Sequence, residues 1–177
     1  MTRVLVTGGV RSGKSRYAEA LLDAGAPAVY LTPGYRADPA ADPEWAARVQ
    51  AHQTRRSARW RTVETLDLAG GVAASQAPVL VDCLGVWLTR LLDSWEAWEA
   101  PAEQWQARLD AEVSALASAV ASASEVVVVT NEVGWGLVSE YRSGRVFADQ
   151  LGRVNQAIGQ VCDEVVLMVT GRALHVA

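Results

Sequence analysis

The residues with the clearest chemistry stand near the start of the sequence, where Gly8, Gly13, Lys14 and Ser15 fall in the spacing Gly-x-x-x-x-Gly-Lys-Ser. Glycines at this spacing let backbone N–H groups turn inward around a phosphate, and a helix that begins near Gly13 points its positive end at the same anion. In such a loop the lysine reaches the β- and γ-phosphates, and the serine hydroxyl binds Mg²⁺. The pattern therefore predicts a P-loop that binds a nucleoside triphosphate. Its expected nucleotide contacts are Gly8, Gly9, Val10, Arg11, Ser12, Gly13, Lys14 and Ser15.

The composition of the chain supports a specific role for the lysine in this loop. The chain holds 16 lysine and arginine residues, and Lys14 is the only lysine among them. Arginine therefore supplies every other basic side chain, whereas a lysine is kept where a compact ammonium must fit inside a phosphate loop.

Two further acidic positions follow apolar runs that predict strands. Asp82 ends the run 78–82, the usual form of the second Mg²⁺-binding element in P-loop enzymes, although an Asp there could instead cap a helix from Leu84. Asn131 and Glu132 follow the most apolar run, 125–130, and two glycines come soon after them. This stretch suits a loop that approaches a ligand closely, and an ordinary turn explains it equally well.

An arginine-rich stretch contains one of the two histidines. His52 lies among five arginines between positions 48 and 61, and a helix through the stretch would place Arg48, His52 and Arg56 on one face. A neutral imidazole among guanidinium groups could attack phosphorus, because its cationic neighbours depress its pKa and would stabilise the transition state. The alternative is a solvated arginine face with an incidental histidine.

Composition limits the classes of protein to consider. With 177 residues, 50% of them hydrophobic, we expect one domain over residues 1–177. A net charge of −4 argues against nucleic acid as the main partner. We expect no signal peptide and no membrane span, and hence a cytoplasmic protein with reduced cysteines that bind no metal. The seven tryptophans predict packing or a subunit interface more than ligand stacking.

The elements that must position these residues alternate along the chain. Apolar runs predict strands at 4–6, 28–31, 61–64, 78–82, 125–130 and 164–170. Helical patterns predict a first helix that begins near Gly13 and further helices at 43–55, 66–74, 84–95, from 101 onward and at 143–161. Continuous apolar strands separated by helices indicate an α/β fold with a mostly parallel sheet covered on both faces. Ligands in such folds lie beyond the carboxyl ends of the strands.

Five motifs in order carry a resemblance to a known family. They are Thr-Gly-Gly-Val-Arg-Ser-Gly-Lys-Ser-Arg at 7–16, the stretch 48–64 with its histidine and its Trp-Arg-Thr-Val-Glu ending, Val-Asp-Cys-Leu at 81–84, Thr-Asn-Glu-Val-Gly-x-Gly at 130–136, and Gly-Arg-Val-Asn-Gln at 152–156. Together they resemble the bifunctional adenosylcobinamide kinase / adenosylcobinamide-phosphate guanylyltransferase family of cobalamin biosynthesis. The resemblance implies a RecA-like P-loop fold and a homo-oligomer, commonly a trimer.

The resemblance also implies a site. His52 would carry GMP as a phosphoramidate, and GTP would contact the P-loop together with Pro33, Gly34, Tyr35, Gln53, Thr54, Arg55, Arg56, Glu64 and Asp82. Ser15 and Asp82 would hold Mg²⁺, and Asn131 and Glu132 would orient the corrinoid hydroxyl. The chain departs from the family pattern at 32–34, which reads Thr-Pro-Gly, between His52 and Trp60, and at Ser139, where the family often has proline.

The implied chemistry has two halves. A hydroxyl of adenosylcobinamide attacks the γ-phosphorus of ATP or GTP, and adenosylcobinamide phosphate then receives GMP from His52. A regulatory GTPase would need an Asn-Lys-x-Asp element, which a chain whose only lysine is Lys14 does not contain. A P-loop ATPase that acts as an assembly or partner-binding module remains the alternative.

Overall fold

A computed structural model describes residues 2–22, 25–34, 40, 43–44, 47, 50 and 57–176. The strands are β1 Thr2–Gly8, β2 Val29–Thr32, β3 Arg61–Glu64, β4 Val79–Asp82, β5 Glu125–Val129, β6 Glu164–Val169 and β7 Arg172–His175. The helices are α1 Lys14–Leu21, α2 Leu68–Ala73, α3 Leu84–Ser94, α4 Gln106–Ser122 and α5 Arg142–Gly159, with a 3₁₀ turn at Ala102–Gln104. Each predicted strand and helix in the described ranges is present, with bounds shifted by a few residues.

The strands form one sheet in the order β3-β2-β4-β5-β1-β6-β7. The first six strands in chain order pair in parallel, and β7 runs antiparallel to β6. The prediction of a mostly parallel α/β sheet is therefore confirmed. Strand β7 was not predicted; it returns through a two-residue turn in which Thr170 and Gly171 both have positive φ, 49° and 78°.

The sheet is buried on both faces because its central strands are apolar at consecutive positions. Residues 126–129 of β5 are fully or almost fully buried. One core cluster packs α3, α4 and α5 on one face and includes Trp87, Leu116 and Ile158. The cluster on the other face includes Ala18 of α1 and Leu22, which follows that helix. A fully buried leucine contributes about 1.5–3 kcal/mol relative to an exposed one, so these two clusters supply most of the driving force for folding.

The tryptophans have more than one environment. Trp87 and Trp105 lie in the core, where their indole N–H groups donate to Leu66 O at 2.9 Å and Ala100 O at 3.3 Å. These two support the prediction of packing. Trp135, in contrast, is 74% exposed in the segment after β5.

The helix predicted from 43 to 55 falls mostly outside the described residues. The four described positions within it, Pro43, Glu44, Ala47 and Gln50, are helical. Across the described part of the chain, no helix combines the length and the apolar character needed to cross a bilayer.

Candidate functional site

The loop between β1 and α1 has the geometry that its glycines predict. A Cβ atom on Gly8 would lie 2.7 Å from both the Met168 carbonyl oxygen and the Ser12 Oγ, so only glycine fits there without displacement. Gly13, the N-cap of α1, has φ 95°, a conformation that favours glycine. The loop therefore turns sharply from the strand into the helix, and the amino-terminal end of α1 opens toward it.

Lys14 is the first residue of α1, and its side chain folds back over the loop. Its Nζ donates a hydrogen bond to the Gly9 carbonyl oxygen at 3.0 Å. Beneath it, the buried Ser12 hydroxyl has no hydrogen-bond partner among the described residues. A cationic side chain beside a loop of backbone N–H groups at a helix N-terminus is the arrangement that binds anionic phosphate groups.

The β6–β7 turn supports this loop from behind. The Gly171 N–H donates to the Ser12 carbonyl oxygen at 3.0 Å, and the Gly171 Cα lies 3.5 Å from where a Cβ on Gly13 would be. The antiparallel strand that the sequence pattern missed therefore holds the phosphate loop in place.

Asp82 lies at the carboxyl end of β4, and Tyr30 on the neighbouring strand donates a hydrogen bond to it, Oη to Oδ2, at 3.0 Å. The N-cap residue of α3 is Cys83, and no side chain caps that helix, so nothing here supports Asp82 as its cap.

The Cys83 thiol shows that Asp82 and Lys14 share one environment. The pKa of Cys83 is raised to about 11, first because the thiol is buried and then because of the neighbouring Asp82 charge, while the Lys14 charge acts to lower it. Strand pairing gives the same placement, because Asp82 pairs with Val129 and Val129 pairs with Val6 on the strand that leads into the P-loop.

The donor set at this edge suits Mg²⁺. The Asp82 carboxylate and the Ser15 hydroxyl offer the oxygen ligands that Mg²⁺ prefers, and substrate phosphates commonly complete its coordination. The residues described here include no group of three or more His, Cys, Asp or Glu side chains placed to hold a metal ion.

The stretch after β5 joins the same edge. The Glu132 N–H donates to the Gly8 carbonyl oxygen at 3.1 Å, and its carboxylate accepts from the Thr7 hydroxyl at 3.2 Å. The Asn131 side chain reaches the start of α3, because its Nδ2 lies 2.9 Å from where a Cβ on Gly85 would be. Asn131 and Glu132 therefore lie between the P-loop and the strand end that carries Asp82.

The remaining described site residues lie further along the sheet. Pro33 and Gly34 follow β2, and Arg90 on α3 donates to their carbonyl oxygens at 2.8 and 3.1 Å. Glu64 ends β3, four strands from β1, a separation of about 19 Å at about 4.8 Å per strand. Glu64 is therefore remote from the loop between β1 and α1, and Pro33 and Gly34 follow a strand three positions from β1.

The other predicted site residues, Tyr35, His52, Gln53, Thr54, Arg55 and Arg56, lie outside the described residues, as does Arg48.

Sequence reasoning missed several residues that hold the site together. Tyr30 looks like one more apolar strand residue, and Arg90 looks like a surface charge on a helix. Neither pattern indicates that the first bonds Asp82 and the second bonds the loop after β2. The Asn155 side chain donates to the Asn131 carbonyl oxygen at 3.1 Å. In the sequence, Asn155 stood out only as a member of the motif at 152–156.

Comparison with known proteins adds independent findings. A family model described as cobinamide kinase / cobinamide phosphate guanyltransferase matches residues 4–176. The chain is 41% identical to the bifunctional adenosylcobalamin biosynthesis protein CobU of Salmonella typhimurium, covering 95% of this chain and 96% of that protein. It is 35% identical to the bifunctional protein CobP of Pseudomonas aeruginosa, covering 96% and 94%.

Among solved structures, an ATPase from the type III secretion system of pathogenic bacteria is similar with a TM-score of 0.50 and 11% identity. That match covers 94% of this chain and half of the ATPase, and it shows the P-loop α/β fold alone. The matches to the family model and to its relatives span nearly the whole sequence. The chain belongs to the cobinamide kinase / cobinamide phosphate guanyltransferase family.

Proposed function

We propose that this chain carries out both reactions of its family, phosphorylation of adenosylcobinamide and transfer of GMP from GTP to the resulting phosphate. The observation that carries the proposal is the convergence of Lys14, Asp82 and Glu132 at one edge of the sheet, beside a loop shaped for phosphate.

In the kinase half, Lys14 binds the β- and γ-phosphates of ATP or GTP and offsets charge that develops during transfer. Ser15 and Asp82 would hold Mg²⁺, which supplies further charge neutralisation when bound. Glu132 and Asn131 orient the acceptor hydroxyl, because they border the P-loop without lying inside it. The hydroxyl oxygen bonds to the γ-phosphorus as the bond to the β-phosphate oxygen breaks, and the hydroxyl proton passes to solvent.

In the transferase half, a nitrogen of His52 attacks the α-phosphorus of GTP, and pyrophosphate leaves. A phosphate oxygen of adenosylcobinamide phosphate then attacks the same phosphorus, and the P–N bond breaks. Arg48, Arg55 and Arg56 hold the migrating phosphoryl oxygens. Besides the P-loop, GTP contacts Pro33, Gly34, Tyr35, Gln53, Thr54, Arg55, Arg56, Glu64 and Asp82. Two displacements replace one difficult step.

The proposal also covers the domain organisation, cellular compartment and oligomeric state of the enzyme. Residues 1–177 form one P-loop domain, a reading that the one continuous sheet supports. The enzyme works in the cytoplasm, where its nucleotide substrates are found, and it assembles as a homo-oligomer, a trimer by resemblance to its family.

The test is to incubate the purified protein with adenosylcobinamide and Mg-ATP or Mg-GTP and to follow the mass of the corrinoid. We expect one added phosphate with either triphosphate, and one added GMP only when GTP is present. Hydrolysis of ATP with no change in corrinoid mass would favour a P-loop ATPase module and contradict the proposal.

A further inference from the structure

The segment that follows Glu132 exposes an unusual amount of apolar surface. Residues 133–141, here named the apolar segment, contain five large side chains with substantial exposure: Val133, Trp135, Leu137, Val138 and Tyr141. Trp135 and Tyr141 are 74% and 76% exposed, and Leu137 is fully exposed. Single exposed hydrophobic residues are common, whereas five within nine residues indicate a binding surface.

The apolar segment is anchored at both ends. At its start, the Glu132 N–H donates to Gly8 in the P-loop at 3.1 Å. At its end, the Arg145 guanidinium donates to the carbonyl oxygens of Ser139 and Glu140 at 2.9 and 2.8 Å, and the Tyr141 N–H donates to the Ser139 hydroxyl at 3.2 Å. The backbone is therefore held while the apolar side chains point away from the core.

The chemistry at the P-loop requires a surface of this kind. Phosphoryl transfer needs the acceptor oxygen within about 3–3.5 Å of phosphorus, so the rest of the acceptor must rest next to the terminal phosphate. Lys14 marks that phosphate, and the apolar segment begins one residue beyond Glu132. A large acceptor bound on this segment would have its hydroxyl beside Lys14 and Glu132.

We propose that the apolar segment binds the corrin ring of the acceptor. A corrin ring presents broad faces of methyl and methylene groups, and the rings of Trp135 and Tyr141 offer flat apolar area that suits such a face. Amide groups on the rim of the corrinoid remain in water, as an open surface allows. This inference rests on the proposed function, because it takes the acceptor class from the family reaction.

A second copy of the chain is the competing occupant, and the structure offers it a different surface. Strand β7 is the outermost strand beyond β6, and Leu174 and Val176 are exposed there, 57% and 62%. An edge strand with apolar side chains is a common place for chains to associate. The apolar segment differs because its backbone is continuous with the site where the acceptor must react.

The test measures KM for adenosylcobinamide in the kinase reaction for Trp135→Ala, Leu137→Ala and a matched control, Leu174→Ala. All three side chains are exposed, so folding should be preserved. We expect KM for the corrinoid to rise at least about tenfold in the first two variants, equal to about 1.4 kcal/mol, and to stay unchanged in the control. The KM for ATP and covalent labelling by GTP should match wild type in all three.

The other possible results distinguish failure of this inference from failure of the proposed function. An unchanged corrinoid KM in Trp135→Ala and Leu137→Ala, in a preparation whose wild type phosphorylates the corrinoid, would overturn this inference alone. A wild type that leaves the corrinoid unmodified would overturn the proposed function instead. If sedimentation velocity shows that the two variants lose an oligomer and the KM for ATP rises with that for the corrinoid, a second copy covers the segment and the inference is wrong.

Discussion

At the scale of single residues, the position of Lys14 explains why this chain retains one lysine. The ammonium lies inside the loop, 3.0 Å from the Gly9 carbonyl oxygen, where a compact charge fits between backbone groups. An arginine there would carry a planar fork that needs more room and a different bonding geometry. Shape and charge both matter at this position.

We therefore expect both Lys14→Ala and Lys14→Arg to lose affinity for the triphosphate by about tenfold or more. The first removes the charged hydrogen bonds to the phosphates, and the second replaces the ammonium with a planar group that does not fit the loop. Isothermal titration with a non-hydrolysable ATP analogue measures the affinity, and a thermal melt checks that both variants fold. Wild-type affinity in Lys14→Arg would show that charge alone is sufficient and that the loop geometry was misread.

The second prediction concerns Asp82. Asp82→Asn removes the carboxylate proposed to hold Mg²⁺, so the Mg²⁺ concentration needed for half-maximal kinase activity should rise while affinity for the nucleotide changes less. The control is Tyr30→Phe, which deletes the hydrogen bond to Asp82 and leaves the carboxylate in place. We expect the control to show a near wild-type Mg²⁺ titration. An Asp82→Asn titration that matches wild type would remove Asp82 from the metal site.

At the scale of elements, a buried network ties β5 to α5. The Thr130 hydroxyl, which is fully buried, donates to the Asn155 Oδ1 at 2.6 Å, and the Asn155 Nδ2 donates to the Asn131 carbonyl oxygen at 3.1 Å. Asn155 thus fixes the direction in which the chain leaves β5, and with it the position of Asn131 and Glu132.

Asn155→Ala should lower the free energy of unfolding by about 1–3 kcal/mol, because it leaves the buried Thr130 hydroxyl without its partner. The neighbouring Gln156 is exposed on the same helix, so Gln156→Ala should stay within about 0.5 kcal/mol of wild type. Urea denaturation compares the three proteins. Equal stability of Asn155→Ala and Gln156→Ala would mean that the network contributes nothing.

A second link joins β1 to the start of β6. Arg3 donates to the Asp163 carboxylate through Nε at 3.1 Å and Nη2 at 2.5 Å, and it also donates to the Ala121 carbonyl at 2.8 Å. Hydrogen bonds from the Arg3 side chain, then from its backbone, lower the pKa of Asp163 from 3.8 to about 2. The pair is exposed and therefore also screened by salt.

Because the pKa of Asp163 is lower in the folded state, its contribution is complete above pH 3.8 and is lost as the pH falls toward 2. We expect Asp163→Asn to be less stable than wild type near neutral pH, with a difference that shrinks below pH 3.8. Urea denaturation across that range makes the comparison. A difference that is independent of pH would show that shape, not ionisation, links the two elements.

The first and last residues of a strand could be predicted where the local pattern of apolar and turn residues determines them. Strands β3, β4 and β5 are short apolar or alternating runs between turn residues, and their observed bounds fall within one residue of the prediction. Strand β7 was missed because Arg172–His175 is exposed along its length and has no apolar run. Its pairing with β6 depends on a tight turn and on contact with the P-loop, which are tertiary effects.

At the scale of the whole molecule, the sequence predicted the class of fold and the edge of the sheet where the site lies. Continuous apolar strands require cover on both faces, and parallel strands place their carboxyl ends along one edge, so Lys14, Asp82 and Glu132 were expected along the same edge. The supporting contacts could not be predicted. These contacts are hydrogen bonds made by Tyr30, Arg90 and Asn155 to residues far away in the sequence. No local sequence pattern indicates such bonds.

The proposed function requires that one protein combine a P-loop with a histidine that carries GMP. The measurement that tests it most directly is incubation with GTP labelled in the α-phosphate, followed by denaturation and counting of covalent label on wild type, His52→Ala and His175→Ala. His175 is the natural control, because it lies exposed in β7 with its Nδ1 3.6 Å from the Glu164 carboxylate.

We predict one GMP per chain on wild type and on His175→Ala, none on His52→Ala, and loss of the label in acid but not in base. Acid protonates the ring nitrogen and makes it a good leaving group, whereas an ester to serine would show the opposite sensitivity. Label that persists in His52→Ala, or that resists acid, would contradict the account.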